Sequence, residues 1–362
     1  GVDERYDSRS RAFSNNAQVG DRNADQRTRH LTAQVDLPAW QRQLWQFGVD
    51  LHEERLMQTV DGVAELEGNG SAKRSSRELF VQNDILFDDT WELLLGLRWQ
   101  DDSDFGGHVA PKVALKAHLL RGERWNGVLR AAYGQGYRVP NLKERHFLFD
   151  HSALGYMVVG NPRLAPESSD SFQLGGTLSL RKHLTLEVNA FHNDVEDLIQ
   201  TDMNNVTTVN GVAVYTYRNV ARARTSGIET ALTWQATKTL SLNAAYTYTR
   251  TRDLELGGEV TRRPRDMGRL GLDWKPHEDT TLSLRGRYQS SELVASGSQA
   301  RSPSWATLDV ALNQSLGRGL TAFAGINNLT GRQRDFADPN DFGPLSGRFI
   351  YLGVSYRFGD AR

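Results

Sequence analysis

The sequence has no cysteine, so it can form neither a disulfide framework nor a thiolate metal site. It also lacks any run approaching the roughly 18 consecutive apolar residues that a transmembrane helix requires, which excludes a helical membrane protein. An excess of one charge is missing too, because 43 Lys and Arg face 44 Asp and Glu, for a net charge of -1. Nucleic-acid binding calls for a clearly basic domain, so no nucleic-acid partner is expected.

The N-terminal stretch has little apolar character. Residue 1 is Gly1 and not a start methionine, and the residues up to Gln26 lack the apolar core of a signal peptide. We expect residues 1–26 to form an extracellular loop or a partial strand.

What the sequence does contain is alternation of apolar and polar residues with period two, which is typical of strands. In the segment from Trp91 to Trp99 the odd positions are Trp or Leu, and from Leu240 to Thr249 apolar and aromatic residues occupy the even positions. Such segments number about 15 or 16, each near or above the 9 to 11 residues of a transmembrane strand. Strands of a soluble sandwich are shorter, about 5 or 6 residues.

The connections between these segments alternate strictly between short and long. Short turns are predicted near Asp88–Thr90, Arg121–Arg124, Arg181–His183, Ala236–Thr239, Pro276–Asp279 and Gly317–Gly319. Long loops are predicted at Asp61–Ser75, Asp101–His108, Val139–Glu167, Met203–Tyr217, Asp253–Arg263, Ser291–Ser304 and Gln333–Ser346. This asymmetry predicts an all-β fold, namely a transmembrane antiparallel up-and-down β-barrel with short periplasmic turns and long extracellular loops.

Aromatic residues near strand ends support the same fold. They are expected on the apolar face as interfacial girdles, at Trp91, Trp99, Tyr246, Tyr248, Tyr288, Trp305, Tyr356 and Phe358. Residues 347–358 are predicted to form the C-terminal, closing strand, which ends in Phe358. That strand is similar to the terminal signature of outer-membrane proteins, which implies the outer-membrane assembly machinery as a partner.

Two short motifs flank the longest loop. The first reads YGQGYRVPNLKE from Tyr133 to Glu144, and the second reads GNPRLAPE from Gly160 to Glu167. As an ordered pair, with FHNDVEDLIQ, NVARARTSGIE and INNLTGRQ farther on, they resemble the boxes of TonB-dependent receptors. The positions that match the family boxes are Tyr137, Arg138, Pro140, Asn161, Pro162 and Leu164. We expect these residues to serve architecture more than ligand contact, because proline suits a strand that leaves a sheet and re-enters it.

The resemblance implies a 22-stranded barrel that is plugged by an N-terminal domain. Residues 1–362 would then be the C-terminal portion of such a barrel, without the plug, in the outer membrane of a Gram-negative bacterium. The implied function is TonB-dependent uptake of an iron complex, most simply a ferric siderophore, with the TonB complex engaged through the N-terminal part and outer-membrane lipid around the barrel. Haem or cobalamin import is the alternative in the same family, and a passive porin or a barrel enzyme is the alternative outside it.

Ligand contacts are expected in the loops. The longest loop carries His146, Phe147, Phe149, His151 and Tyr156. Histidine can ligate haem iron, although an exposed loop histidine is the plainer interpretation, and the aromatic rings could pack on a siderophore. Around another loop, Arg250, Arg252 and Arg263 could attract an anionic iron chelate.

Neither a cofactor nor a metal site nor a catalytic site is expected. Asp194, Glu196 and Asp197 lack the spacing of a calcium loop. Asp150, His151 and Ser152 have the residue types of a hydrolase triad, but adjacent residues rarely converge on one atom as that mechanism requires. The protein is therefore not expected to be an enzyme.

Overall fold

The fold was described from a computed structural model. It describes residues 2–11, 18–66, 70–152, 155–181, 183–202, 205–255, 257–295 and 298–358, with side chains described from residue 21 onward except at 220 and 221. No helix in these ranges combines the length and the apolar character needed to cross a membrane.

Most of the described chain is β-strand. The strands are β1 Val2–Arg11, β2 Gln18–Asp36, β3 Gln43–Val60, β4 Val63–Ala64, β5 Ser71–Leu86, β6 Trp91–Asp102, β7 Gly106–Arg121, β8 Trp125–Arg138, β9 Leu148–His151, β10 Tyr156–Val159, β11 Glu167–Leu180, β12 Leu184–Thr201, β13 Thr207–Val209, β14 Val212–Gln235, β15 Leu240–Asp253, β16 Asp266–His277, β17 Thr280–Gln289, β18 Glu292–Leu293, β19 Arg301–Ser302, β20 Trp305–Gly317, β21 Leu320–Asn327 and β22 Phe349–Tyr356. One short helix, α1, spans Leu142–His146. Sixteen of these strands have eight or more residues, which confirms the number predicted from alternation.

The chain divides into two compact units. The first comprises residues 1–115, 132–171 and 194–223, and the second comprises residues 116–131, 172–193 and 224–362. In the first unit β1, β2, β3, β5 and β6 pair in sequence order, each antiparallel to the next. In the second unit β15, β16, β17, β20, β21 and β22 do the same. Both units are therefore meanders, as an up-and-down fold requires.

The strand ends joined by the short turns are called the short-turn ends, and the opposite ends are called the long-loop ends. All six predicted short turns separate consecutive strands where they were expected. In residues 1–26, where the sequence predicted a loop or a partial strand, the structure has β1 and the first nine residues of β2.

One predicted long loop, at residues 101–108, is wrong, because only residues 103–105 separate β6 from β7. The predicted loop at 61–75 is likewise shortened by β5, which begins at Ser71. Polar residues there belong to strands because they pair on the buried face, where Arg74 contacts Glu54 at 3.0 Å and Asp102 at 3.2 Å. These buried ion pairs satisfy the charges inside the fold. Charged residues in this segment therefore do not indicate a loop.

The aromatic prediction is confirmed for most positions and wrong for one. Trp91, Trp99, Tyr246 and Tyr288 are 41–45% exposed, on the face that carries the apolar residues. Trp305 pairs with Gln289 and lies on the opposite face from Tyr288. The apolar residues of β20 occupy even-numbered positions, whereas Trp305 is at an odd-numbered one. Its side chain therefore lies on the face opposite the apolar one.

Candidate ligand-binding site

The first sequence motif ends a strand and starts a helix. Pro140, which is fully buried, follows β8, and Asn141 caps α1. The Glu144 N–H donates to the Asn141 side chain at 2.8 Å, while the Asn141 N–H donates to the Glu144 carboxylate at 2.9 Å. This reciprocal capping box satisfies two helix-terminal donors. It fixes where the longest loop leaves the sheet.

Arg138 ties the two motifs together. Its guanidinium donates to both carboxylate oxygens of Glu167, at 2.6 and 2.7 Å, and to Glu144 at 3.0 Å. The bidentate geometry suits arginine and not lysine. Because Glu144 belongs to the first motif and Glu167 ends the second, Arg138 closes the base of the loop between them.

The second motif packs against the first. The Asn161 N–H donates to the carbonyl of Glu144 at 2.8 Å, and the Asn161 side chain donates to the carbonyl of Tyr217 at 2.8 Å. Pro162 and Arg163 occupy the following turn, and Leu164 is only 3% exposed. Tyr137 of the first motif stacks on His108 with ring centroids 3.9 Å apart. These contacts are structural, so they support the architectural role expected for the motif residues.

Between the motifs, β9 and β10 form a hairpin. They pair antiparallel from Leu148 with Val159 to His151 with Tyr156, and β10 also pairs in parallel with β14. Gln58 of β3 is fully buried. Its side chain anchors the hairpin by binding the main chain of the hairpin. Its amide donates to the carbonyl of Leu148 at 2.6 Å and accepts from the Leu148 N–H at 3.1 Å.

A charge network holds the tip of β9. Arg22 of β2 donates to Asp150 at 2.8 Å and to the two oxygens of Glu65 at 2.6 and 2.9 Å. Partial burial opposes ionisation of Asp150, but hydrogen bonds from Arg22 and from Ser152 outweigh it and lower the pKa of Asp150. Asp150 therefore stays ionised and keeps the hairpin attached to β2.

An aromatic row follows one face of the hairpin. Phe147 and Phe149 lie 6.2 Å apart, Phe149 and His151 lie 4.2 Å apart, and His151 stacks on Tyr156 at 5.3 Å with an interplanar angle of 8°. All four residues are half-buried. Nε2 of His151 is buried and has no hydrogen-bond partner among the described atoms. The row thus offers flat rings to a ligand, with Nε2 of His151 buried beneath them.

His146 lies in the last turn of α1. Of the five loop residues predicted to contact ligand, the other four form the row.

The three predicted arginines belong to the second unit. Arg250 and Arg252 are exposed on β15, whereas Thr251 and Asp253 between and after them are buried. This parity places both arginines on the face that carries Tyr246. Arg263 follows in the next loop, where its guanidinium donates to the carbonyl of Arg262 at 3.2 Å.

The long-loop end of the second unit also brings loop arginines together with Arg334, Phe342 and Glu292, which sequence reasoning missed. The guanidinium carbons of Arg262 and Arg334 lie 4.7 and 5.6 Å from the centroid of Phe342. Burial raises the pKa of Glu292, and the charges of Arg262 and Arg263 offset this in part. Within this cluster three arginines lie near one buried carboxylate, that of Glu292.

Sequence reasoning also missed Gln58 and Arg22. Both are polar residues inside long strands, and their partners are about 90 and 128 residues away. The sequence shows only that Gln58 is two residues from Leu56 and so lies on the same face of the strand. That this face is buried is shown by the structure. In the described part of the chain, no three His, Asp or Glu side chains lie close enough to hold a metal ion.

Long antiparallel meanders, exposed apolar and aromatic faces and short turns opposite long loops define a β-barrel protein of the outer membrane. The comparisons with known proteins identify the family. Residues 2–329 match the family described as TonB dependent receptor-like, beta-barrel, and the chain belongs to that family.

Three curated relatives carry the names of an iron-regulated virulence protein, a receptor and a utilization protein. The chain is 27% identical over 329 residues to the iron-regulated outer membrane virulence protein of Vibrio cholerae, covering 84% of this chain and 49% of the relative. It is 25% identical over 299 residues to the ferric enterobactin receptor of Pseudomonas aeruginosa, covering 75% and 39%. The heme/hemopexin utilization protein C of Haemophilus influenzae is 31% identical over 160 residues, covering 40% and 22%. The chain thus spans about half the length of the first relative, and less of the others.

Solved structures share the fold. A variant of the ferric enterobactin receptor of Pseudomonas aeruginosa superposes with a TM-score of 0.72 at 21% identity, covering 95% of this chain and 55% of that one. The siderophore receptor PirA of Acinetobacter baumannii gives 0.71 at 16% identity, covering 98% and 58%. At these identities the likeness establishes the fold alone.

Proposed function

We propose that this chain is the ligand-binding barrel portion of a receptor for TonB-dependent uptake of a ferric siderophore. The observation that carries the proposal is the half-buried row of Phe147, Phe149, His151 and Tyr156 on an anchored hairpin at a long-loop end. Flat aromatic surface with few fixed polar groups is typical of small-molecule sites. Family membership favours a receptor over a passive porin or a barrel enzyme.

Charge supports the same substrate class. Exposed cations at the long-loop ends would attract an anionic ferric chelate. Clustered charges strengthen the local electrostatic field and so raise the rate at which ligand and receptor meet. In the second unit these cations include Arg250, Arg252 and Arg263, all exposed. In the first unit the row itself supplies contact area.

Haem is the second candidate, and one observation favours it. Nε2 of His151 is buried and lacks a hydrogen-bond partner among the described residues, and a neutral imidazole nitrogen is a common axial ligand of haem iron once haem can reach it. The stacked Tyr156 ring would hold the imidazole plane in place.

The proposal includes two partners. Energy for uptake would come from the TonB complex through parts of the receptor outside this chain. The outer-membrane assembly machinery would recognise β22 and the exposed Phe358 that follows it.

The test uses the full-length receptor, purified in detergent, with quenching of intrinsic fluorescence as the measure of binding. A panel of catecholate and hydroxamate ferric siderophores and haem would be titrated into the wild type, F149A, H151A and H146A. We expect one ferric siderophore to bind, and F149A to weaken it about tenfold, which is about 1.4 kcal/mol. H146A is the matched control, because His146 belongs to α1 and not to the hairpin.

Two results would separate the candidates. Haem binding with a Soret shift that disappears in H151A but persists in H146A would establish haem instead. Failure of the full-length receptor to bind any ferric siderophore, or equal binding by F149A and the wild type, would refute the siderophore proposal.

A further inference from the structure

In the second unit, the face opposite the exposed apolar one is called the lumen face, because it lines the lumen of an outer-membrane barrel. On this face two arginines, Arg269 of β16 and Arg287 of β17, are directly opposite each other. Each is next in the chain to an exposed residue of the apolar face, Leu270 or Tyr288. Since successive side chains of a strand point to opposite faces, both arginines belong to the lumen face. Both are exposed.

The pair lies near the long-loop end of the unit. Arg269 is three residues from the start of β16, and Arg287 is two residues from the end of β17. At the rise of a strand these separations are about 10 and about 7 Å. Long loops precede β16 and follow β17, so the pair is near the mouth through which a ligand from outside would enter.

The pair is unfavourable without an anion. Side chains directly opposite each other in antiparallel strands have Cβ atoms about 4.5 to 5.5 Å apart, and like charges at that separation destabilise a sheet. Among the residues that the structure describes, neither Arg269 nor Arg287 forms an ion pair or a side-chain hydrogen bond. Two positive charges therefore face the lumen without a partner on the described wall.

Arg285 shows how an arginine of the same face is neutralised. It is two residues from Arg287, and its guanidinium donates to the two carboxylate oxygens of Asp273 at 2.7 and 2.8 Å. The side chain reaches Asp273 by passing over Gly271, where an added Cβ would lie 3.5 Å from Cδ of Arg285. The carboxylate of Asp273 is thus engaged by Arg285 and does not neutralise the pair.

The other acidic residues of β16, β17 and β20 also have partners elsewhere. Asp309 accepts from the Asn328 N–H at 2.7 Å, and Asp266 accepts from the Tyr246 hydroxyl at 2.6 Å. In these three strands, all of which the structure describes, no carboxylate is bonded to the pair. An acceptor for the two guanidinium groups must therefore come from outside the strands that carry them.

Small residues flank the pair. Ala245 of β15 is directly opposite Arg269, and Thr307 of β20 is directly opposite Arg287. Their short side chains leave the guanidinium groups open to the lumen. The Thr307 hydroxyl lies in the same row and can donate one more hydrogen bond.

A carboxylate fits this arrangement. A guanidinium group presents its N–H donors in a planar fork, which binds a carboxylate through two parallel hydrogen bonds. A carboxylate can accept about four hydrogen bonds, which is enough for two forks. In a ferric chelate the oxygens that hold the iron have given lone pairs to the metal. A carboxylate outside the iron-binding groups keeps both oxygens and its full charge for the arginines.

We propose that Arg269, Arg287 and Thr307 form a lumen-wall site for a free carboxylate of the transported ferric siderophore. The inference rests on the proposed function and adds a substrate class, namely ferric siderophores that carry a carboxylate outside their iron-binding groups. The other source of a carboxylate is an acidic side chain of the receptor outside this chain. The experiment separates the two sources.

The test uses the full-length receptor in detergent and two derivatives of ferrioxamine B, a ferric hydroxamate with one terminal amine. Succinylation of the amine gives a chelate with one free carboxylate, and acetylation gives a neutral chelate with the same iron centre. Binding is measured by quenching of intrinsic fluorescence, and the unfolding temperature is measured without ligand. The test variant is R269Q/R287Q. The control variant is K238Q/R318Q, which removes two exposed cations at short turns of the same unit.

We expect the wild type to bind the succinylated chelate about tenfold more tightly than the acetylated one, a difference of about 1.4 kcal/mol. R269Q/R287Q should bind the two chelates equally, whereas K238Q/R318Q should keep the preference of the wild type. Without ligand, R269Q/R287Q should unfold at the same or a higher temperature than the wild type, because a repulsion has been removed.

Three results would overturn the proposal. If the wild type binds both chelates equally, or does not bind the succinylated one, the carboxylate is not recognised. A preference that persists in R269Q/R287Q would place the recognition elsewhere. A lower unfolding temperature of R269Q/R287Q without ligand would show that an acidic group of the receptor already neutralises the pair.

The outcome for this site is separate from the outcome for the aromatic row. If a ferric siderophore binds and F149A weakens its binding while the carboxylate has no effect, only the lumen-wall site is refuted. If the carboxylate preference depends on the two arginines and F149A has no effect, the lumen-wall site is supported and the role of the row is refuted.

Discussion

At the scale of single residues, the long-loop ends depend on carboxylates that are satisfied by main-chain donors. Asp341 is the clearest case, since it is 1% exposed and accepts from the N–H groups of Asp335 and Gly343 and from Arg332, at 2.7 to 2.9 Å. The bond from the Asp335 N–H, with those from Arg332 and Gly343, outweighs desolvation and lowers the pKa of Asp341. The ionised form therefore orders the loop before β22.

A pH dependence follows from that lowered pKa. The stabilisation by Asp341 should be complete above the ordinary carboxyl pKa of about 3.9 and should disappear as pH falls through the lower folded value. Hydrogen exchange of residues 328–348 in the full-length receptor, corrected for intrinsic rates, should show constant opening free energy from pH 7 to about 4 and a decrease below it. D341N should show a smaller and flatter profile. Identical profiles for the two proteins would contradict this account.

At the scale of elements, the contact between α1 and the second motif is closest at Gly160. A Cβ at this position would lie 2.5 Å from the main-chain nitrogen of His146 and 2.6 Å from the main-chain carbonyl carbon of Arg145. Main-chain atoms cannot rotate away as a flexible side chain can. Gly160 is therefore required for α1 to pack where it does.

The variant G160A should destabilise the helix and the hairpin by about 1 to 3 kcal/mol, the usual cost of overpacking. Hydrogen exchange at residues 142–159 should rise, and ligand affinity should fall with it. G107A is the matched control, because its nearest contact would be Nε1 of Trp99 at 3.5 Å, an ordinary separation. Unchanged exchange in G160A would mean that α1 can shift without cost.

The sequence predicts the elements better than it predicts their contacts. Period-two alternation and turn residues depend on each strand alone, so the six short turns appear where they were predicted. Polar residues in β5 and β6 were assigned to loops because nothing local distinguishes an exposed Asp from Asp102, which pairs with Arg74 across 28 residues. The anchor Gln58 was missed for the same reason. Such partners are determined by register between strands, which the pattern of one strand does not specify.

At the scale of the whole molecule, the exposed apolar faces match a lipid solvent. On β22 the exposed side chains include Leu352 at 84% and Ile350 at 67%, and Leu352 pairs with Ala324 of β21. In water such a face would be an aggregation site, whereas in a bilayer it is the contact surface. The alternation of apolar and other residues along β22 therefore gives the strand one face that is suited to contact with lipid.

The variant L352R should destabilise the full-length receptor in the membrane by about 2 to 4 kcal/mol, the cost measured for arginine at the lipid face of barrels. S355R, on the opposite face of the same strand, should cost much less. Urea unfolding in phospholipid vesicles measures both. Similar values for the two variants would contradict the assignment of faces.

The anchoring of the hairpin by Gln58 has an evolutionary consequence. Gln58 recognises only the peptide N–H and C=O of Leu148, so the anchor does not depend on which side chains the hairpin carries. Under the proposed function, mutations that replace the rings along the hairpin would change ligand preference while the scaffold stays folded. Diversification of the recognised compound is thereby separated from selection for stability.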